Sequence, residues 1–261
     1  MNFFSIMYHD VVEGDDFEAS GFPGRDAALY KLGRKQFAEQ LQAIKAAAPG
    51  GARRIFDPPI GPAASFVITF DDGGASAYTT IADMLEQYGW RGHFFITTDY
   101  IGRPAFMSRT QIRELHRRGH VIGSHSCSHP ARISSCRWEE IVREWAASAL
   151  VLSDILGEKV RTASVPGGFY SRKVAQAASL AGIEWLFTSE PTARQIWVDG
   201  CRVLGRYTIQ RWMSPQTVAG LATGRIQPRL RQMLLWNTKK LTKSLGGKYY
   251  LKARKSLLEK S

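Results

Sequence analysis

The sequence predicts an α/β protein built on a parallel sheet or barrel, and three observations carry that expectation. Short apolar, β-branched runs recur, such as Phe66-Val67-Ile68-Thr69-Phe70, and continuous apolarity marks a strand covered on both faces. Between the runs lie stretches whose apolar residues fall at helical spacing, and strand–helix alternation leads to parallel pairing. Several runs end abruptly in polar residues, as in barrels whose working groups sit at the C-terminal strand ends. The regularity of a repeat protein is absent from the sequence.

Taken in order, Phe3 to Tyr8 reads as a first strand that delivers His9 and Asp10 at its end. Asp15 to Lys31 has no clear period and carries Gly21, Pro23 and Gly24, so a loop over the site is expected. Phe37, Leu41 and Ile44 mark a helix ended by Pro49-Gly50-Gly51, and Gly61-Pro62 leads into the strand closed by Asp71-Asp72-Gly73-Gly74. Tyr78, Ile81, Leu85 and Tyr88 mark the next helix, closed by Gly89. The strand Phe94 to Thr97 follows, then a loop with Gly102 and Pro104. Ser108 can cap a helix carrying Ile112 and Leu115 that Gly119 stops. A strand from His120 runs into Ser124-His125-Ser126-Cys127-Ser128-His129-Pro130, and Trp138, Ile141, Val142, Trp145, Ala149 and Leu152 make a long amphipathic helix. Val160 to Val165 is a strand ending in Pro166-Gly167-Gly168, followed by a helix over 171–181 and a strand over 184–188. Arg202 to Ile209 reads as the last strand, and Ser214-Pro215 opens a short helix with Pro at a favoured position.

Composition fits an ordered enzyme, since 44% hydrophobic and 11% aromatic residues exclude a disordered chain. Cys127, Cys136 and Cys201 are odd in number and form no Cys-x-x-Cys pair, so a reducing compartment is expected. Met1 to Met7 has no basic start and is cut short by Tyr8-His9-Asp10, too short for a secretion signal or a membrane span. The expectation is a cytoplasmic protein. Charge is uneven: from Arg225 onward eleven Lys or Arg face the single acid Glu259, so this tail supplies ten of the twelve net positive charges. Two regions are therefore expected, a catalytic domain over 1–224 and a basic, partly helical extension over 225–261. Leu230, Met233, Leu234 and Leu241 lie at helical spacing among the basic residues. Such a helix either packs on the barrel or lies on an anionic membrane surface. Nucleic acid is not expected, because no recognised motif accompanies the charge.

The chemistry concentrates at two strand ends. Asp71 and Asp72 are adjacent, and neighbouring side chains on a strand point to opposite sides. That suggests a division of labour, one carboxylate holding a metal and the other handling a proton. His125 and His129 stand four positions apart after a strand, a spacing that brings two imidazoles to one side if the backbone coils. One Asp with two His gives three protein ligands and open positions, the composition of a catalytic zinc site.

Thr69-Phe70-Asp71-Asp72-Gly73 followed by Ser124-His125-Ser126-Cys127-Ser128-His129-Pro130 resembles the first two motifs of the polysaccharide deacetylases, the NodB-homology domain of carbohydrate esterase family 4. The resemblance runs in order from about Met1 to Gly224 and implies an irregular, incomplete, seven-stranded (β/α) barrel. It implies Asp72, His125 and His129 as ligands of a divalent metal, most simply Zn2+, and Asp71 as the general base. Cys127 is not needed as a ligand. The Leu-x-His proton donor of most members is missing, since no histidine follows His129. His93, His116 and His120 fall on the far side of the barrel, and only His9 ends a strand. Met7-Tyr8-His9-Asp10 is similar to the N-terminal segment of relatives whose His is the acid. The third motif, usually Arg-Pro-Pro-Tyr-Gly, reads Ser164-Val165-Pro166-Gly167-Gly168, so the Arg that orients the base is replaced by Ser164. Arg161 or Arg172 are the candidate substitutes. The Gly167 N–H, beside Pro166, is the candidate oxyanion donor.

The resemblance therefore implies a metal-dependent hydrolase that removes an N-acetyl group from an amino sugar. The sugar would be linked to a nucleotide, a lipid or a polymer. Removal of a formyl group, or a catalytically silent sugar- or membrane-binding module, are the alternatives.

Overall fold

In the computed structural model the residues described are 4–58 and 66–238. Gly61-Pro62, Leu241 and the first three residues lie outside them. The chain opens with strands β1 (Phe4–Tyr8) and β2 (Val11–Val12), a single helical turn α1 (Arg25–Ala28), β3 (Leu32–Gly33) and helix α2 (Arg34–Ala47). Strand β4 (Phe66–Phe70) leads through a wide helical turn, Ala77–Ile81, into α3 (Ala82–Glu86). Then come β5 (His93–Ile96), α4 (Arg109–Arg117), β6 (Val121–Ser124), α5 (Trp138–Leu156), β7 (Thr162–Ser164) and α6 (Arg172–Leu180). Strands β8 (Trp185–Phe187), β9 (Gln195–Val198), β10 (Cys201–Leu204) and β11 (Tyr207–Thr208) precede α7 (Pro215–Ala222), and a helix over 226–238 follows.

One sheet holds nine of these strands in the order β11-β1-β4-β5-β6-β7-β8-β10-β9, parallel throughout except for the β10–β9 hairpin. The expected α/β barrel class is therefore found, with two more strands than the resemblance implied. The stretch read as one strand over 202–209 is in fact two. It breaks at Gly205-Arg206, and its halves lie at opposite flanks of the strand order. Three Cα–Cα steps of about 3.8 Å cannot separate Leu204 from Tyr207 by more than roughly 11 Å. The sheet must therefore curl until β10 and β11 face each other across a seam that no ladder closes. Gly205 makes the break possible: a Cβ there would lie 2.4 Å from the carbonyl oxygens of both Glu190 and Thr192.

Side chains alternate between two cores. Outward residues such as Phe66, Ile68, Phe70, Phe94, Ile96, Leu186 and Val203 join the large core beneath the helices. The inward cluster is Val67, Phe95, Phe187 and Leu204, with Ile55. Helix α2 buries Phe37, Leu41 and Ile44 as its spacing predicts, and each such burial stabilises by about 1.5–3 kcal/mol. Ser108 caps α4 in a capping box with Gln111, and Ile112 and Leu115 are its buried face. The expected loop over 15–31 is irregular apart from α1. Its Ser20 hydroxyl donates to the buried Asp10 carboxylate, 2.6 Å away, which ties the loop to the end of β1.

Candidate metal centre and active site

The alternation that builds the inner core also builds the site. Four strands carry one further inward residue just past the C-terminal end, and those residues are His9 beyond Met7, Asp71 beyond Thr69, His125 beyond Gly123 and Arg206 beyond Leu204. Ser164, at the end of β7, has the same inward parity. Met7, His9, Asp71, Asp72, His125, His129 and Arg206 all line one cleft of about 1370 Å³.

Asp72 has the outward parity, so a regular strand would turn it away from Asp71. Its backbone instead takes a left-handed conformation, φ 77°, and the second carboxylate returns to the cleft. The expectation that the two acids face opposite sides is thus corrected by the kink. His129 (φ 58°) and Ser126 (φ 64°) share this conformation, which costs a non-glycine residue about 1–2 kcal/mol and persists where surrounding contacts impose it.

Asp72, His125 and His129 offer ligand atoms that all lie within 4.8 Å of one another. Asp72 Oδ1 is 3.4 Å from His125 Nε2 and 3.7 Å from His129 Nε2. Two ligands on a tetrahedral zinc at about 2.0–2.1 Å stand roughly 3.3–3.4 Å apart, so the spacing suits a shared cation. The other ring nitrogen of His125, Nδ1, is 3.0 Å from the Ser164 carbonyl oxygen. That contact fixes the tautomer with Nδ1–H donating and leaves the Nε2 lone pair aimed at the cluster. The donor set, two imidazoles and one carboxylate, fits a divalent ion. Burial would raise the Asp72 carboxyl, but His125, His9 and His129 outweigh it and hold the group well below the usual range. Burial and the neighbouring His125 lower His129 to about 4, which leaves its ring neutral and able to ligate. Cys127 takes no part: its thiol lies 3.1 Å from Asp99 Oδ1, and burial pushes it up to about 11.

Asp71 is held differently. Arg206 grips it as a fork, Nη1 to Oδ1 at 2.7 Å and Nη2 to Oδ2 at 2.8 Å. The Ser164 hydroxyl donates to Oδ2 at 2.9 Å and accepts from Arg206 Nη2 at 2.7 Å. Arg206 also donates to Thr69 Oγ1 and the Thr188 carbonyl, and its guanidinium lies over Phe95 and Phe187. Burial pushes the Asp71 carboxyl up, but Arg206, His125 and His9 together bring it below its ordinary value. Oδ2 accepts two bonds and Oδ1 one, so Oδ1 keeps a lone pair for a substrate proton.

The arginine sought to replace Ser164 is therefore neither of the two expected. Arg161 pairs with Glu184 at the N-terminal end of β7, and Arg172 lies 3.9 Å from Asp199. Arg206 was missed. The available signal was its parity with Leu204 behind a glycine at a strand end, hidden because the strand was read straight through it.

His9 sits with its ring 5.0 Å from that of Tyr30, and its buried Nδ1 has no hydrogen-bond partner among the described residues. Gly167 (φ 63°) and Gly168 line the cleft, whereas Pro166 is buried and does not. Ser189, Glu190 and Pro191 also line it. His93 and His120 are buried away from the site against Ile55 and Glu86, and His116 faces Glu158.

The fold is an incomplete (β/α) barrel, and an Asp-His-His cluster with the spacing of a cation site stands at its C-terminal rim. Residues 61–186 match the family model of the polysaccharide deacetylases. YxkH of Bacillus subtilis is 26% identical over 158 residues, 60% of this chain and 54% of YxkH. The peptidoglycan-N-acetylglucosamine deacetylase PgdA of Listeria monocytogenes is 28% identical over 125 residues, 47% of this chain and 26% of PgdA. The matched stretch thus spans about half of the first relative and a quarter of the second. Among solved structures, the Streptococcus pyogenes deacetylase PplD shares the fold with a TM-score of 0.68 at 19% identity, over 89% of this chain and 98% of that one. IcaB from Ammonifex degensii does so with 0.65 at 22% identity, over 85% and 97%.

Proposed function

We propose that the protein is a metal-dependent hydrolase that removes the N-acetyl group from an amino sugar of a polysaccharide or glycoconjugate. The observation that carries this reading is the juxtaposition, in one cleft, of a three-ligand cluster and a separately anchored carboxylate. A divalent cation held by Asp72, His125 and His129, with Zn2+ the simplest choice, supplies a Lewis acid that polarises the amide carbonyl and acidifies water. Asp71, kept ionised by Arg206 and Ser164, accepts the water proton at Oδ1 as oxygen bonds to the acyl carbon. Gly167, which lines the cleft, is the backbone donor assigned to the oxygen that gains charge. His9 gives a proton to the departing nitrogen, the carbon–nitrogen bond breaks, and acetate and a free amine remain.

The cleft is larger than a drug-sized ligand needs and is walled by Tyr30, Phe169, Tyr170, Trp212 and Trp236. That suits a sugar attached to a carrier, whether nucleotide, lipid or polymer, better than a free monosaccharide. With its three cysteines unpaired, the protein fits a reducing, cytoplasmic setting.

The test is metal analysis of the purified chain together with acetate and formate release from N-acetylated and N-formylated amino-sugar conjugates. Asp71→Asn should lose about 10²–10⁴-fold in turnover while keeping its metal, the usual worth of a general base. Asp72→Asn should lose both. Formate in place of acetate would change the acyl group and keep the site. No release of either with Zn2+, Co2+ or Mn2+ across the panel would leave a silent binding module as the better reading.

A further inference from the structure

The helix over 226–238 is seated on the barrel the wrong way round for an ordinary surface helix. Its inward face carries two polar side chains, Arg229 and Gln232, beside Pro228 and Trp236. Arg229 donates to the Tyr207 hydroxyl and the Gly224 carbonyl and lies over the Phe4 ring, and Gln232 donates to the Thr208 carbonyl. Trp236, one turn on from Gln232, comes to rest beside Gly168. A second stripe, Ile226, Leu230, Met233 and Leu234, has 70%, 47%, 39% and 62% of its surface exposed. A helix that packed for stability alone would turn these four inward. Leu235 and Trp212 are also exposed and line the cleft, with Arg231 above the Trp212 ring and Arg225 in the same lining.

The charge around the stripe selects its occupant. Arg225 and Arg231 precede or flank it, and Lys239, Lys240, Lys243, Lys248, Lys252, Arg254, Lys255 and Lys260 follow in sequence, against Glu259 alone. A second copy would bring two such segments together and repel. An anionic bilayer answers both features, because an interfacial helix buries an apolar face at the headgroup boundary while Lys and Arg meet the lipid charge. Among the described residues no helix is long and apolar enough to cross a membrane.

We propose that the helix over 226–238 docks on an anionic phospholipid surface, inserting Ile226, Leu230, Met233 and Leu234. Docking brings the mouth of the cleft to the bilayer. It stands independently of the reaction assigned to the site.

The experiment is co-sedimentation of the full chain with vesicles of phosphatidylcholine alone and of phosphatidylcholine with phosphatidylglycerol. Binding is expected only to the anionic vesicles and should weaken at least tenfold between low and high salt. Leu230→Gln with Leu234→Gln, which keeps the net charge, should weaken it at least tenfold while leaving hydrolysis of a soluble substrate unchanged. A second measurement needs no variant: lipids brominated on their acyl chains should quench tryptophan emission in the unmodified protein through Trp212. Equal binding to neutral vesicles, undiminished binding of the Gln variant, or absence of quenching would each overturn the proposal. So would a concentration-dependent dimer that the Gln variant abolishes, since the stripe would then belong to a second copy.

Discussion

The two halves of the site are built on different plans. The cation half takes Asp72, His125 and His129 from two strand ends, β4 and β6, with β5 between them, and shapes them by local means. These are left-handed turns at Asp72 and His129 and one carbonyl behind His125. The proton half joins Asp71, Ser164 and Arg206 from β4, β7 and the β10–β11 break, so its main contact spans 135 residues of chain. In the proposed reaction ligand atoms can be gathered by nearby loops because a bound ion would balance their charge. A buried carboxylate that must stay free for a proton needs a fixed counter-charge, and here the open seam of the barrel supplies it. The first half should therefore fail by losing metal, and the second by losing stability and turnover together.

The largest effect that would break this distinction is at Arg206. Arg206→Met removes the fork and leaves Asp71 buried and unpaired, which costs about 3–5 kcal/mol in comparable buried pairs. Chemical denaturation should show that loss, with metal content retained in the folded fraction and turnover lost. Adding Asp71→Asn to Arg206→Met should return part of the stability, because the uncompensated charge is then gone. Arg206→Lys keeps the charge but not the two-pronged geometry, so stability should suffer less than turnover. A double variant no more stable than Arg206→Met alone would show that Arg206 matters as packing over Phe95 and Phe187 instead.

The same contrast explains what could be read from the sequence. The cation half was legible because its residues cluster at the ends of two apolar runs, where residue type and spacing carry the chemistry. The helices were legible from a period of 3.6 residues, alone in α5 and together with a cap in α4. Arg206 was not, because nothing local distinguishes it from the other arginines of a basic chain. Its role depends on the barrel curling until β10 and β11 meet, a long-range event. Arg161 and Arg172 were nearer in sequence to Ser164, but Arg161 has the outward parity and Arg172 starts a helix. The inverted helix over 226–238 shows the same limit, since its apolar spacing is plain while the face it presents is decided by Tyr207 and Thr208 elsewhere.

The opposite pole of the barrel sharpens the comparison, because its buried imidazoles should titrate without touching catalysis. His93 begins β5, with Nε2 accepting the Ile55 N–H at 3.0 Å. Burial lowers it from 6.5 to about 3, so the folded state refuses a proton that the unfolded chain takes up. Its contribution to stability is complete above pH 6.5 and is lost as the pH falls towards 3, at about 1.4 kcal/mol per unit. Burial likewise lowers His120 to about 4, against the pull of Glu86. Denaturation midpoints between pH 7 and pH 4 should therefore fall, and His93→Gln should flatten the slope by about one proton. Turnover of that variant at pH 7 should match the parent, and a parallel loss would mean that this pole supports the site.

The smallest expected effect is the most discriminating, because Ser164 touches both halves with different atoms. Its carbonyl faces His125 Nδ1, and its hydroxyl sits between Asp71 and Arg206. Ser164→Ala deletes only the hydroxyl. Asp71 Oδ2 keeps its bond from Arg206 Nη2 and Arg206 keeps both carboxylate oxygens, so no charged group is orphaned. The cost should be near that of one hydrogen bond to a charged group, about 1.5 kcal/mol, with turnover reduced no more than about tenfold. Metal affinity should not move, because the carbonyl behind His125 remains. If metal affinity falls with turnover, the hydroxyl is holding the β7 end in place for both halves, and the two plans are mechanically one. If Ser164→Ala instead matches Arg206→Met in stability, the counter-charge is shared along a chain of donors and does not reside in the guanidinium at the seam.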